Sequence, residues 1–96
     1  MGEVRLGAGR RVAVRIRNLG PLGALVQASD LEEAVLEGER ALLVHPDEDG
    51  SERTCRTPCA VVRVELEFEE AGVRRELALY FDGGPPPEGE ADGAGP

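Results

Sequence analysis

Residues 60–81 read AVVRVELEFEEAGVRRELALYF, and this stretch decides the fold that the sequence predicts. Apolar side chains alternate with charged ones from Val62 to Phe68, and a second alternating run ends at Phe81. Successive side chains of a β-strand point to opposite faces, so a period of two predicts half-buried strands. Gly72 lies between the two runs and predicts a turn, which makes the stretch a β-hairpin.

The two faces of this hairpin differ in chemistry. Pairing the runs sets glutamates of the first strand near arginines of the second, namely Glu65, Glu67 and Glu69 near Arg74 and Arg75. Opposite charges across a ladder help to fix register, and each exposed pair contributes roughly a few tenths of a kcal/mol. The opposite, inward face is predicted to hold Val62, Val64, Leu66 and Phe68 on the first strand and Leu77, Leu79 and Phe81 on the second.

The period of two continues upstream of the hairpin. Alternation predicts a strand over 11–17 with an arginine-rich outer face, and further short strands over 23–28 and 41–45. Residues 29–38 begin with capping and acidic residues and end at Gly38, a pattern typical of a short helix. These elements predict an all-β fold, a small antiparallel β-barrel with one short helix.

Length and composition allow one domain. The chain has 96 residues, and from Gly83 onward it carries no large apolar side chain. The prediction is a barrel domain over 1–82 and a disordered, acidic, Pro/Gly-rich tail over 83–96. No apolar run approaches the ~20 residues that span a bilayer, and the N-terminus lacks the apolar region of a secretory signal. We therefore expect no membrane insertion and a cytoplasmic location.

The charge argues against nucleic acid as a partner. The formal net charge is −8, and the 11 basic residues are all arginine. A net negative chain is repelled by polyphosphate backbones, although a local arginine cluster could hold one small phosphate ligand. Barrels of the OB or cold-shock type also need aromatic side chains for stacking, whereas Tyr80 is the only tyrosine and Phe68 and Phe81 are predicted to be core.

Catalytic and metal-binding patterns are weak. The chain has one histidine, no G-x-S-x-G and no P-loop, so we predict that it is not an enzyme. Cys55, Cys59 and His45 supply zinc-type ligands, but the spacing is loose and a fourth ligand is not evident. Cys59 directly precedes a predicted core strand, so a small buried apolar residue is the commoner interpretation. No metal and no cofactor are predicted.

A longer pattern begins at residues 14–24, which read VRIRNLGPLGA. It continues with LEGER at 36–40, CAVVRV at 59–64 and LYF at 79–81. This pattern resembles the PilZ family, in which a strand enters the motif (Asp or Asn)-x-Ser-x-x-Gly and a strand of small and apolar residues follows. Asn18 matches the first position of the motif and Gly23 the last, whereas Gly20 stands where the family has serine.

The resemblance covers roughly residues 10–82 and implies an antiparallel barrel whose usual ligand is cyclic di-GMP. In the family, an RxxxR pair on an arm before the first strand binds phosphates and stacks on guanine. Arg11 and Arg15 have this spacing but lie within the predicted strand. The candidate ligand-binding residues are therefore Arg10, Arg11, Arg15, Asn18, Gly20 and Gly23. The missing hydroxyl and the displaced pair imply a degraded site, since each lost contact costs about 1–3 kcal/mol.

The function predicted from sequence is a PilZ-like, non-enzymatic adaptor in a bacterial cyclic di-GMP-related pathway such as surface motility, acting on a protein partner. One alternative is a direct cyclic di-GMP receptor that uses Arg10, Arg11 and Asn18. A second is an unrelated small β-barrel that serves as an interaction domain. The residues alone also fit a simpler interpretation, in which the arginines form a solvated strand face balanced by glutamates, and Asn18 and its glycines form a tight turn.

Overall fold

The computed structural model of the protein describes residues 2–29, 34–47 and 53–89. These residues form six strands: β1 (Gly2–Leu6), β2 (Arg11–Leu19), β3 (Gly23–Ala28), β4 (Arg40–Pro46), β5 (Thr54–Glu69) and β6 (Gly72–Tyr80). The strands close into an antiparallel barrel in the order β1-β2-β3-β6-β5-β4. The predicted all-β fold, a small antiparallel β-barrel, is confirmed.

The barrel interior is filled by the apolar side chains of alternate strand positions. In register across three strands, Val26 of β3 lies between Ile16 of β2 and Leu77 of β6, all on the inward face. The largest fully buried side chains of this core are Leu6, Leu43, Leu77, Val4, Val12, Val26 and Val61 together with Cys59, whereas Leu42, which is also fully buried, lies on the opposite face of β4. Burial of this set is the main favourable contribution to folding, at about 25 cal/mol for each Å² of apolar surface removed from water.

The strand β1 is an element that the sequence analysis did not assign. Its buried residues, Val4 and Leu6, alternate with the half-buried Glu3 and Arg5. β1 closes the barrel because it pairs with β2 on one side and with β4 on the other. A run of five residues is short for a pattern argument, so its closing role is visible only in the assembled sheet.

The short helical element differs in position from the prediction. It is a three-residue 3₁₀ turn, Gly7–Gly9, between β1 and β2. The helix predicted over 29–38 is absent from its described part, where residues 34–36 are irregular and 37–38 form a turn. Residues 30–33 lie outside the described residues. One turn bond, from Glu39 N–H to Leu36 O at 3.2 Å, lies within this segment, and its other backbone bonds reach β5: Gly38 N–H donates to Val61 O at 2.6 Å, and Val61 N–H donates to Glu39 O at 3.0 Å.

A β-bulge in β5 reverses the predicted facing of one residue. Val61 lies opposite Leu79 and Arg63 lies opposite Ala78, so Val62 is the extra residue of the bulge. Val61 is fully buried, whereas Val62 is 54 % exposed. The prediction that Val62 faces the core is therefore wrong, because the bulge inserts one residue into the alternation.

Beyond the bulge, the β5–β6 hairpin extends past its neighbours. β4 pairs with β5 only as far as Ala60, and β3 pairs with β6 only as far as Arg75. We call residues 62–75 the projecting hairpin. Leu66 and Phe68 lie on the face that continues the barrel interior, yet they are 55 % and 79 % exposed because none of the core residues in the described ranges covers the distal half of this face. The prediction that Phe68 belongs to the core is also wrong.

The charged face of the hairpin follows the prediction in part. Arg74 lies opposite Glu67, and its Nε is 3.5 Å from a carboxylate oxygen of Glu69. Arg75, by contrast, lies opposite Leu66 and is buried on the other face. Adjacent arginines on a strand point to opposite faces, so only one of the two can meet the glutamates.

The chain stays in contact with the barrel after β6. Nη1 of Arg40 donates to Asp82 Oδ2 at 2.5 Å, and its Nε and Nη2 donate to Pro85 O at 3.0 and 2.7 Å. The hydrogen bond from Arg40 lowers the pKa of the Asp82 carboxyl below its usual value, with a further contribution from the Gly84 N–H. The domain boundary at Asp82 stays a prediction, since these contacts reach Pro85.

Candidate functional site

The turn between β2 and β3 brings three of the six candidate residues together. Asn18, Gly20 and Gly23 line an open concavity of about 370 Å³ on the barrel surface. The rest of its lining is apolar or small, from Pro21, Leu22, Ala24, Leu25, Ala78 and Leu79. The arginine candidates are absent from this lining, so the concavity offers an apolar floor and one amide side chain.

The backbone of this turn explains its glycines without a ligand. Gly20 N–H donates to Gly23 O at 2.9 Å, and Phe81 N–H donates to Leu22 O at 2.8 Å. A Cβ on Gly23 would lie 2.2 Å from Leu79 O, because β6 passes directly against this position. A Cβ on Gly20 would have Gly23 O at 3.9 Å as its nearest neighbour. Gly23 is thus required by strand packing, and Gly20 is not.

A second bulge directs Arg17 toward the glutamates of the outer barrel face. The β2–β3 register shifts between Ile16 and Asn18, which leaves Arg17 as the extra residue. Its Nη1 is 2.8 Å from Glu76 Oε2 and 3.4 Å from Glu67 Oε1. Gln27 Nε2 also donates to Glu67, at 2.9 Å. Arg17 therefore balances two carboxylates, as the simpler interpretation of the sequence predicted.

Arg15 and Arg11 lie exposed on the outer face of β2. Arg15 lies opposite Gln27 and borders a shallow depression that it shares with Arg17, Gln27, Glu69 and Arg74. Arg11 lies opposite Arg5 of β1, and Arg5 is paired with Glu3 at 2.7 Å. The two arginines with RxxxR spacing thus share one face of β2, four positions apart, and have different neighbours.

Arg10 has a structural role at the other end of β2. Its Nε donates to Gly7 O at 3.0 Å, its Nη1 donates to Ala34 O at 2.9 Å, and its Nη2 forms an ion pair with Glu39. Glu39 also accepts a hydrogen bond from Leu36 N–H at 3.1 Å. These contacts hold residues 34–39 against the barrel, with the buried Val35 among them.

Distance separates the arginine candidates from the turn. Asn18 lies seven positions after Arg11 along β2, and a strand rises about 3.3 Å per residue, so their Cα atoms are about 23 Å apart. An arginine side chain covers only part of this span. The structure therefore groups Asn18, Gly20 and Gly23, and it places Arg10 and Arg11 at the opposite end of β2.

The exposed apolar surface of the projecting hairpin was missed by the sequence analysis. Leu66 and Phe68 match an inward-facing pattern, and the alternation gives no information about where the core ends. The signal that could have found this surface is strand length: the hairpin strands are longer than the segment predicted over 23–28, which pairs with one of them. A long hairpin beside a short strand must project beyond it.

The two cysteines have different environments. Cys59 is fully buried opposite Ala41, and its Sγ donates to Ala41 O at 3.6 Å. Burial raises the pKa of the Cys59 thiol from 9.0 to about 12. Cys55 is half-buried opposite His45. Within the described parts of the chain, no group of three or more His, Cys, Asp or Glu side chains is placed to hold a metal ion.

Thiol labelling is expected to separate the two cysteines. At about pH 8 the thiolate fraction of Cys59 is about a thousandfold lower than that of an ordinary thiol, and its sulfur is also inaccessible. Iodoacetamide should therefore modify Cys55 in the native protein and should modify Cys59 only after denaturation, as mass spectrometry of peptides would show. Equal labelling of both in the native state would contradict the burial of Cys59.

Comparison with known proteins does not assign the chain to a family. No family model, no curated protein and no solved structure matches it. In the ranges that the structure describes, no helix is long and apolar enough to cross a membrane.

Proposed function

We propose that this protein is a PilZ-like, non-enzymatic adaptor that acts in the cytoplasm of a bacterium by binding another protein. The observation that carries the proposal is the exposed apolar face of the projecting hairpin, where Phe68 is 79 % exposed and Leu66 is 55 % exposed. Aromatic side chains are enriched at protein interfaces because they bury a large apolar area at low entropic cost.

The surroundings of Asn18 and Arg10 support an adaptor in preference to a receptor that uses Arg10, Arg11 and Asn18. A phosphate ligand needs guanidinium groups that converge on one point and are not already neutralised. Arg17 is engaged by Glu67 and Glu76, and Arg10 is engaged by Glu39 and two carbonyl oxygens. The Asn18 concavity, which is lined largely by apolar and small residues, offers no cation to such a ligand.

Titration with cyclic di-GMP tests this function. We expect no saturable heat in calorimetry of the native chain, because Asn18 lies about 23 Å from Arg11 along β2. Binding in the micromolar range that is lost in Asn18→Ala or Arg11→Ala would end the adaptor proposal. It would favour the direct receptor that uses Arg10, Arg11 and Asn18.

The variant Gly20→Ser sharpens this titration. It restores the hydroxyl of the family motif, and it fits because the nearest atom to a new Cβ is 3.9 Å away. We expect this variant to fold normally and still not to bind cyclic di-GMP, since Arg10 and Arg11 stay at the other end of β2 and Arg17 stays paired with Glu67 and Glu76. If this variant binds cyclic di-GMP in the micromolar range, the missing serine hydroxyl is the only defect of the nucleotide site and the prediction is wrong.

A further inference from the structure

In the part of the chain that the structure describes, one edge of β5 is left uncovered by any strand beyond Ala60. Among the described residues, β4 pairs with β5 only through Ala60, and β6 occupies the other side of β5 up to Glu69. We call the segment Val64–Phe68 on the uncovered side the β5 edge. An uncovered strand edge presents N–H and C=O groups that can pair with an added strand.

The direction of the backbone groups on the β5 edge follows from one contact. Val64 N–H donates to Glu37 Oε1 at 3.4 Å, so it points away from β6. Backbone direction alternates along a strand, and hence the N–H and C=O groups of Leu66 and Phe68 point to the same uncovered side. Glu37 therefore binds the N–H of Val64, and the backbone groups of Leu66 and Phe68 point away from β6 toward the uncovered side.

The side chains beside these groups are amphipathic in a regular way. Leu66 and Phe68 form the apolar face, and Val73 lies opposite Phe68 on β6. The other face is acidic along β5, because this row carries Glu65, Glu67 and Glu69 beside one arginine, Arg63. Arg17 and Arg74 reach Glu67 and Glu69 from the side of β6. On this face the Glu65 side chain is 54 % exposed and that of Glu69 is 40 % exposed.

We infer that the β5 edge binds an extended segment of a protein partner by β-strand addition, and that this segment alternates aliphatic with basic residues. This inference rests on the adaptor function proposed above and names its binding mode. The added strand would bond to the backbone of Leu66 and Phe68. Its aliphatic side chains would cover the apolar face, and its basic side chains would lie opposite the more exposed glutamates, Glu65 and Glu69.

Charge disfavours a second copy of this chain as the occupant. Antiparallel pairing of two β5 edges about Leu66 would set Glu65 of each copy opposite Glu67 of the other. Pairing about Glu67 would set Glu65 opposite Glu69. Like charges directly opposite in a ladder are destabilising, whereas a basic strand reverses the sign of each of these interactions.

A synthetic peptide provides the test. The probe is fluorescein-labelled Arg-Val-Arg-Val-Arg-Val-Arg, added to the full chain at about 0.15 M salt to limit nonspecific attraction. We expect a saturable rise in fluorescence anisotropy, and no binding of a peptide with Glu in place of each Arg. N-methylation of alternate peptide nitrogens should abolish binding for one set of positions and preserve it for the other. Equal effects of the two sets, or no saturable binding, would overturn the inference.

Variants of the protein locate the binding site. Phe68→Ser should weaken peptide binding about tenfold or more without loss of fold, since the side chain is exposed. Tyr80→Ser is the matched control: Tyr80 is 48 % exposed near the opposite end of β6 and should leave binding unchanged. Glu65→Arg should also weaken binding. If Tyr80→Ser weakens binding as much as Phe68→Ser, the peptide does not bind at the β5 edge.

Two further measurements separate the possible failures. Amide hydrogen exchange at Leu66 and Phe68 should slow when the peptide is added; if sedimentation shows a dimer in which these amides are already protected, a second copy is the occupant and the inference is wrong. Cyclic di-GMP is titrated into the same sample. Tight nucleotide binding would refute the proposed adaptor function. If neither the nucleotide nor the peptide binds, only the inference that a partner strand binds at the β5 edge is refuted.

Discussion

Replacing Gly23 by alanine is expected to unfold the barrel or to shift the register between β3 and β6. The new Cβ would lie 2.2 Å from Leu79 O and 3.3 Å from the Leu79 carbonyl carbon. Both are backbone atoms, so no side-chain rotation relieves the clash. Overpacking lowers the free energy of unfolding by about 1–3 kcal/mol. Because both atoms belong to the backbone, we expect the loss in this variant to reach or exceed the upper end of that range. That is a large share of the about 5–14 kcal/mol typical of a domain this size.

Urea unfolding followed by circular dichroism measures this loss, and Gly20→Ala is its matched control. Gly20 lies in the same turn, but a Cβ there meets only Gly23 O at 3.9 Å. We expect Gly20→Ala to be neutral or stabilising by less than about 1 kcal/mol. Equal stability of the two variants would show that β6 does not approach Gly23 as described, and it would reopen a ligand role for this glycine.

The second large effect concerns two adjacent valines of β5. Val61→Asp should abolish folding, because Val61 is fully buried opposite Leu79 and the new carboxylate would have no partner in this apolar setting. An unpaired buried charge costs several kcal/mol, roughly the whole stability of a small domain. Val62→Asp should change stability by no more than about 0.5 kcal/mol, since Val62 is exposed at the bulge.

Expression level and the thermal unfolding midpoint of the two variants provide the measurement. The two variants make the same change at adjacent positions of one strand, so their composition and their local β-propensity are the same. A difference in stability therefore reports the burial of each side chain. Alternation alone predicts the opposite result, with Val62 inward. If Val62→Asp unfolds the protein and Val61→Asp does not, the bulge between Val61 and Arg63 is misplaced.

The sequence predicted which residues belong to the candidate site, but it did not predict which of them lie close together. The pattern at 14–24 located a turn, and the structure confirms that turn and groups Asn18, Gly20 and Gly23 at a concavity. The arginines were assigned to the site by their spacing in the chain. Spacing along a strand separates residues by about 3.3 Å for each step, so it cannot bring the ends of one strand together.

Partners of the arginines could not be predicted for a second reason. Glu67 and Glu76 are distant in sequence from Arg17, and the barrel order β2-β3-β6-β5 brings them close. Glu39 is distant from Arg10, and the pairing of β1 with both β2 and β4 brings these two close. The sequence indicated that glutamates would balance the arginines, but it did not identify which ones. Pairing between strands depends on sheet order, which is a property of the whole chain.

By itself, the sequence determined that this protein is an antiparallel sheet. Alternating apolar side chains at Val12, Val14 and in 60–81 can all be buried only if the chain is extended. The tertiary structure alone decided where that alternation slips and where the core stops. Closing six strands of unequal length into one barrel requires bulges at Arg17 and Val62 and leaves the longest hairpin projecting. The bulges and the projecting hairpin depend on how all six strands pair, so no local sequence pattern predicts them.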